Sequence, residues 1–247
     1  MNRAIFNFLK ADLRMPQLMF WDWCFPVILI LVIGIFIGET SLSIFLLPGF
    51  VSLFLMQSII FSIPYRLAQY NESGLMRFIK EKGSAIKLIM GFFLSRIFIL
   101  VLQTFIVILI GKTMMKVDLN MNWGFLVISF LFTVAIFMLI SSVLGLKLKT
   151  QNAALGLSQA IYFVLIGISG IVYPLENSPE LLRKLSAISP LMYISKFWES
   201  ALYGKRIFQI QDVLILCAML AVFTLYVIYM SRSGKGGNSY EGYPSDQ

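Results

Sequence analysis

The side chains able to do chemistry are few, and what is missing excludes most common reactions. The chain of 247 residues has no histidine, so Ser-His-Asp catalysis, imidazole metal ligation and imidazole proton relays are out of reach. Its two cysteines, Cys24 and Cys217, fall in apolar runs and read as inert thiols, not as a disulfide framework. Gly111-Lys112-Thr113 looks like the end of a phosphate loop, but the G-x-x-x-x-G-K-[ST] spacing wants glycine where Ile106 stands. No nucleotide site is encoded. All twelve carboxylates, from Asp12 to Asp246, avoid the middle of every long apolar run. A mid-membrane acid, the usual mark of a proton-coupled carrier, is therefore absent, although sodium coupling through backbone carbonyls would leave no such mark. Arg96 is the one charge inside an apolar run, and its place shortly after Lys87 predicts a side chain that snorkels to the inner interface.

The elements that carry these residues are apolar helices. Hydrophobic residues make up 59% of the chain and charged ones 13%, against roughly 25% charged in soluble domains. Mean hydropathy is +0.85. Six stretches of 16 to 28 residues are free of charge except for Arg96: Trp23–Gly38, Thr40–Tyr65, Leu88–Gly111, Leu119–Leu146, Thr150–Leu175 and Val213–Ser231. A bilayer core about 30 Å thick needs about 20 residues of helix, and uniform apolar runs without period-2 alternation mean helices rather than barrel strands. The fold class is therefore an all-α integral membrane protein with six spans, near 19–38, 43–64, 88–111, 122–146, 152–173 and 211–231. The first span reads as retained, since no early apolar core or small-residue cleavage site marks a signal peptide.

The loops supply orientation and three further features. With the N-terminus inside, twelve Lys and Arg lie on the cytoplasmic side and seven on the outer side, so both termini are placed in the cytoplasm. Ile5, Phe8, Leu9 and Leu13 form one face of an N-terminal interfacial helix. Between spans two and three lies the densest charge cluster, where Leu75, Phe78 and Ile79 make an apolar stripe and Arg77, Lys80 and Glu81 face away. Gly74 and Gly83 punctuate its ends. Such a helix needs a cover, either a partner protein or the membrane surface. From Leu175 to Asp212, Pro179 and Pro190 divide two amphipathic pieces: Leu181, Leu182, Leu185 and Ile188, then Leu191, Ile194, Phe197, Trp198 and Ala201. They read as half-helices dipping into the outer leaflet, with a cap above the membrane as the alternative. Residues 233–247 read as a disordered cytoplasmic tail, so residues 1–232 form one transmembrane domain.

In this order, the interfacial helix, the coupling cluster and the paired half-helices resemble the permease subunits of ABC-2 exporters. One motif is Glu-x-Gly followed by apolar and basic residues, here Glu72 to Lys80; the family continues with Thr-Pro where this chain has Lys82-Gly83. The second is Gly170-Ile171-Val172-Tyr173-Pro174, then Pro179 and Ser189-Pro190-Leu191-Met192-Tyr193. The resemblance covers about 230 residues and implies a coupling helix between spans two and three and a re-entrant hairpin before span six. It further implies two copies of the chain, each seated on a separately made ATPase subunit that holds ATP and Mg, with no cofactor or catalysis in this chain.

On that resemblance, Glu72, Gly74, Leu75, Met76, Arg77, Phe78 and Ile79 form the ATPase contact, and the segment with Tyr173, Pro174, Pro190 and Tyr193 closes the path outside. Gly34 and Gly38 in span one, with Ala153, Gly156 and Ala160 in span five, form small faces suited to a dimer seam or to packing within one chain. The expected function is ATP-driven export of a hydrophobic or amphipathic molecule, a drug, membrane-active peptide or lipid-like compound, across a bacterial cell membrane. Polysaccharide export and peptide sequestration without transport are the alternatives. Lipid and cargo are the other expected partners; nucleic acid is not.

Overall fold

Long charge-free runs have no choice but to satisfy their backbone internally, and each becomes a helix. The computed structural model describes residues 20–36, 40–74, 85–148, 150–173 and 178–233. The N-terminal interfacial helix, Gly38, Leu75 to Glu81, Lys82-Gly83, Pro174 and the tail from 234 onward lie outside the described residues. A π-helical turn, Phe20–Cys24, leads into α1 (Phe25–Phe36). There follow α2 (Thr40–Glu72), α3 (Ala85–Met115), α4 (Trp123–Lys147) and α5 (Gln151–Ser169), then two short helices, α6 (Glu180–Ser186) and α7 (Pro190–Tyr203), and finally α8 (Ile210–Ser233). Among the described residues every element is helical.

Five helices, α2, α3, α4, α5 and α8, are long and apolar enough to cross a membrane. The expected first span is shorter, a π turn of 5 residues followed by 12 of α-helix. A larger departure is at α2, which was expected to end near residue 64 and runs on to Glu72. Pro64 lies inside it with Pro48. Proline removes one donor and kinks a helix, but the neighbours packed around α2 hold it together on both sides.

The helix α2 is the centre of the molecule. Within its apolar span 89% of residues are buried, against 11% in α8, so α8 leaves most of its surface to lipid or to a partner. Around α2 pack α3, α4, α5 and α7. Small residues let backbones approach: a Cβ on Gly145 of α4 would stand 2.5 Å from Leu67 Cδ1 and 2.9 Å from Leu67 Cβ of α2. One on Gly111 of α3 would overlap Leu47 of α2, and one on Gly49 would overlap Ile171 beyond α5. Buried hydroxyls donate back along their own helices, as Ser62 does to the Ser58 carbonyl (2.6 Å) and Thr133 to the Ser129 carbonyl (2.6 Å).

The two amphipathic pieces before α8 form helices with different surroundings. In α6, Leu181 remains 69% exposed, whereas Leu191, Ile194, Trp198 and Ala201 of α7 are fully buried. Far from being a superficial cap, α7 is core: it packs on α2, α4, α5 and α8. Trp198 Nε1 donates to Thr133 Oγ1 of α4 (3.0 Å), and Tyr203 donates its hydroxyl to the Ile44 carbonyl of α2 (2.8 Å). Gly204 ends α7 at φ 68°, with the space for a Cβ taken by the Asn120 carbonyl at 2.7 Å. Only glycine meets both conditions without strain.

Candidate functional site

A groove of about 410 Å³ opens where α1, α2 and α5 meet. Phe25 and Leu29 of α1, Phe50 and Phe54 of α2, and Phe163 and Ile166 of α5 are among its walls. The apolar character follows from the faces the helices turn to it: Leu42, Leu46, Phe50, Leu53 and Phe54 of α2 and Phe163 and Ile166 of α5 line it, and the runs they belong to carry no charge. Among the described residues the one polar side chain in the wall is Tyr162, and its hydroxyl is already donated to Gln57 Oε1 of α2 (2.9 Å). Its ring meets Phe61 edge-on at 5.6 Å. The groove thus presents hydrocarbon and aromatic surface, suited to burying an apolar molecule and poor in groups to orient a polar one.

Behind the groove wall, two consecutive residues of α2 hold two different helices. Gln57 takes Tyr162 of α5, while the Ser58 carbonyl accepts from Arg96 of α3 at 2.5 Å and the Ser58 hydroxyl bonds the same guanidinium nitrogen. The expectation that Arg96 snorkels outward is corrected here: its side chain is 1% exposed and turns inward. The physical reason is local, since Ser58 offers a carbonyl and a hydroxyl beside α3 and the bonds made there replace those of water. Gln57, Ser58 and Tyr162 escaped the sequence reading. A glutamine in the middle of an otherwise apolar run was the available signal, because a buried amide demands a partner.

At its C-terminal end, α2 stops at Glu72 and the chain turns through Gly74 at φ 68°. The Glu72 carboxylate accepts from the backbone N–H of Gln151 (3.0 Å) and from the Gln151 side-chain amide (2.5 Å) at the start of α5. Thr150 completes that cap by accepting from the Ala153 N–H at 3.3 Å. Leu75, Met76, Arg77, Phe78 and Ile79, the rest of the expected ATPase contact, lie outside the described residues.

At the other end, Tyr173 donates to the Gly167 carbonyl (2.5 Å) and Tyr193 to the Ala187 carbonyl (2.7 Å), while Pro190 is buried at the start of α7. Lys196 pairs with the buried Asp212 at 3.0 Å, and Asp212 also accepts from the Gln209 N–H (2.7 Å). Burial pushes the Tyr193 hydroxyl and the Glu199 carboxyl above their ordinary pKa values; the Asp212 charge adds to the first and Lys196 opposes the second. On α5, Ala153, Gly156 and Ala160 are exposed. Gly34 is backbone within α1, and Gly38 lies outside the described residues.

Comparison with protein families matches the chain over residues 6–203 to the ABC-2 type transporter membrane domain. The chain belongs to the ABC-2 type transporter family. It is accordingly a multi-pass membrane protein and a transport component, not itself an enzyme, and the family implies partnership with an ABC ATPase. The match takes in the groove, the Gln57–Ser58 pair, Glu72 and the whole of α7, and stops before α8. A search of curated proteins gives no match.

Proposed function

We propose that this ABC-2 permease exports a hydrophobic or amphipathic molecule from the cell. The observation that supports this reading is the groove between α1, α2 and α5, whose single polar group among the described residues is bonded within the protein. A drug, membrane-active peptide or lipid-like compound can leave water for such a surface, at about 25 cal/mol per Å² of apolar area buried. A polysaccharide needs hydrogen-bonding groups along its path, and this groove supplies almost none. Two copies of the chain pack about a two-fold axis, with the exposed face of Ala153, Gly156 and Ala160 in the seam.

Each copy rests on an ATPase subunit through Leu75, Met76, Arg77, Phe78 and Ile79, with both termini in the cytoplasm of a bacterial cell. ATP and Mg belong to that subunit. Its closure tilts the helices that line the groove and opens the path outward, past the segment with Tyr173, Pro174, Pro190 and Tyr193. Coexpression with the ATPase gene tests the assembly. A complex of two permeases and two ATPases, crosslinked between permeases through Ala160→Cys, is expected. A permease that recovers no ATPase and still protects cells from a membrane-active peptide means sequestration instead.

A further inference from the structure

The geometry points to Glu72 as a positioning residue that clamps α5 to α2 at the cytoplasmic end, so that movement of the coupling segment reaches the groove through α5. This rests on the transporter reading above and reassigns Glu72 from the ATPase contact to a contact within the chain. Its carboxylate takes two donors of one residue, the backbone N–H and the side-chain amide of Gln151, across 79 positions of sequence. Both bonds are charge-assisted, and the first turn of α5 presents the positive end of its dipole to the anion. The same pair of helices is bonded a second time, by Tyr162 and Gln57.

Along α2 the two ties are 15 residues apart, about 22 Å, and along α5 they are 11 residues apart, about 16 Å, at a rise of about 1.5 Å per residue. Two ties at different depths fix relative rotation as well as distance. The helices α2 and α5 then move as one body, with Phe54 and Phe163 on its groove face. Gly74, two residues past Glu72, takes φ 68°, so the chain leaves α2 directly beyond the tie and the coupling segment joins the pair of helices at the clamp.

The test uses the full permease copurified with its ATPase in lipid discs, with Cys24→Ala, Cys217→Ala and Asn152→Cys carrying a bimane fluorophore at the start of α5. ATP with vanadate traps the closed ATPase, and the bimane emission shift reports movement of α5. In Glu72→Ala the shift is expected to fall at least five-fold, with unchanged ATPase recovery and unchanged trapped nucleotide per complex. Glu72→Gln, which keeps an acceptor for the Gln151 N–H, retains half the shift or more. Adding Gln151→Ala to Glu72→Ala changes nothing further. A full shift in Glu72→Ala overturns the clamp, as does loss of the ATPase from that variant alone, which would return Glu72 to the ATPase contact. Absence of the ATPase from the unmutated complex overturns the transporter reading instead.

Discussion

Arg96 and Ser58 show how one intramembrane charge is accommodated by its neighbours. The guanidinium lies against α2, and Ser58 is one side chain that meets it. Ser58→Ala removes that partner and leaves the carbonyl, so the purified permease is expected to lose about 1–2 kcal/mol of stability, seen as a lower melting temperature in detergent. Ser58→Thr, which keeps a hydroxyl, is expected to lose less. Glu199 gives a pH dependence. Its folded pKa is raised by burial, so the folded state holds its proton more tightly than the unfolded state does. The stability it contributes is complete below the ordinary carboxylate pKa and is lost as pH rises through the raised value. Glu199→Gln is therefore expected to raise the melting temperature at pH 8 and to leave it unchanged at pH 4. Equal effects at both values would mean that ionisation is not involved.

Among elements, the tight crossing of α2 and α4 is the most exposed to a single change. A methyl group on Gly145 meets Leu67 at 2.5 Å, so Gly145→Ala is expected to cost about 1–3 kcal/mol of overpacking. Adding Leu67→Ala should recover part of that loss, a non-additivity readable in the melting temperatures of the two single variants and the double variant. The helices were legible in the sequence because lipid imposes a length and forbids charge, and five charge-free runs reappear as α2, α3, α4, α5 and α8. The continuation of α2 to Glu72 was not, since Pro64 and Arg66 are ordinary signs of a helix end and only neighbouring helices override them. The burial of α7 was hidden for a related reason. Its stripe of Leu191, Ile194 and Trp198 suits a membrane surface as well as a protein core, and only the polar anchors from Trp198 to Thr133 and from Tyr203 to Ile44 decide. The pairings of Gln57 with Tyr162 and of Glu72 with Gln151 join residues 105 and 79 positions apart. Periodicity within one helix carries no record of them.

For the whole molecule, these contacts give one continuous arrangement from one end of α2 to the other. The C-terminal end of α2 is joined to the start of α5 by Glu72, their middles by Gln57, and the N-terminal end of α2 is tied to α7 by Tyr203. The groove lies along this assembly, and α8 stands largely outside it. Export of apolar cargo through that groove is the central claim, and the most direct measurement is ATP turnover by the permease–ATPase complex in lipid discs across a panel of hydrophobic, amphipathic and saccharide compounds. Phe163, exposed in the groove wall, provides the control. The account predicts that one or more apolar or amphipathic compounds raise turnover several-fold, and that Phe163→Asn abolishes the response while basal turnover persists. Stimulation by saccharides alone, or a response to apolar compounds untouched by Phe163→Asn, would contradict it.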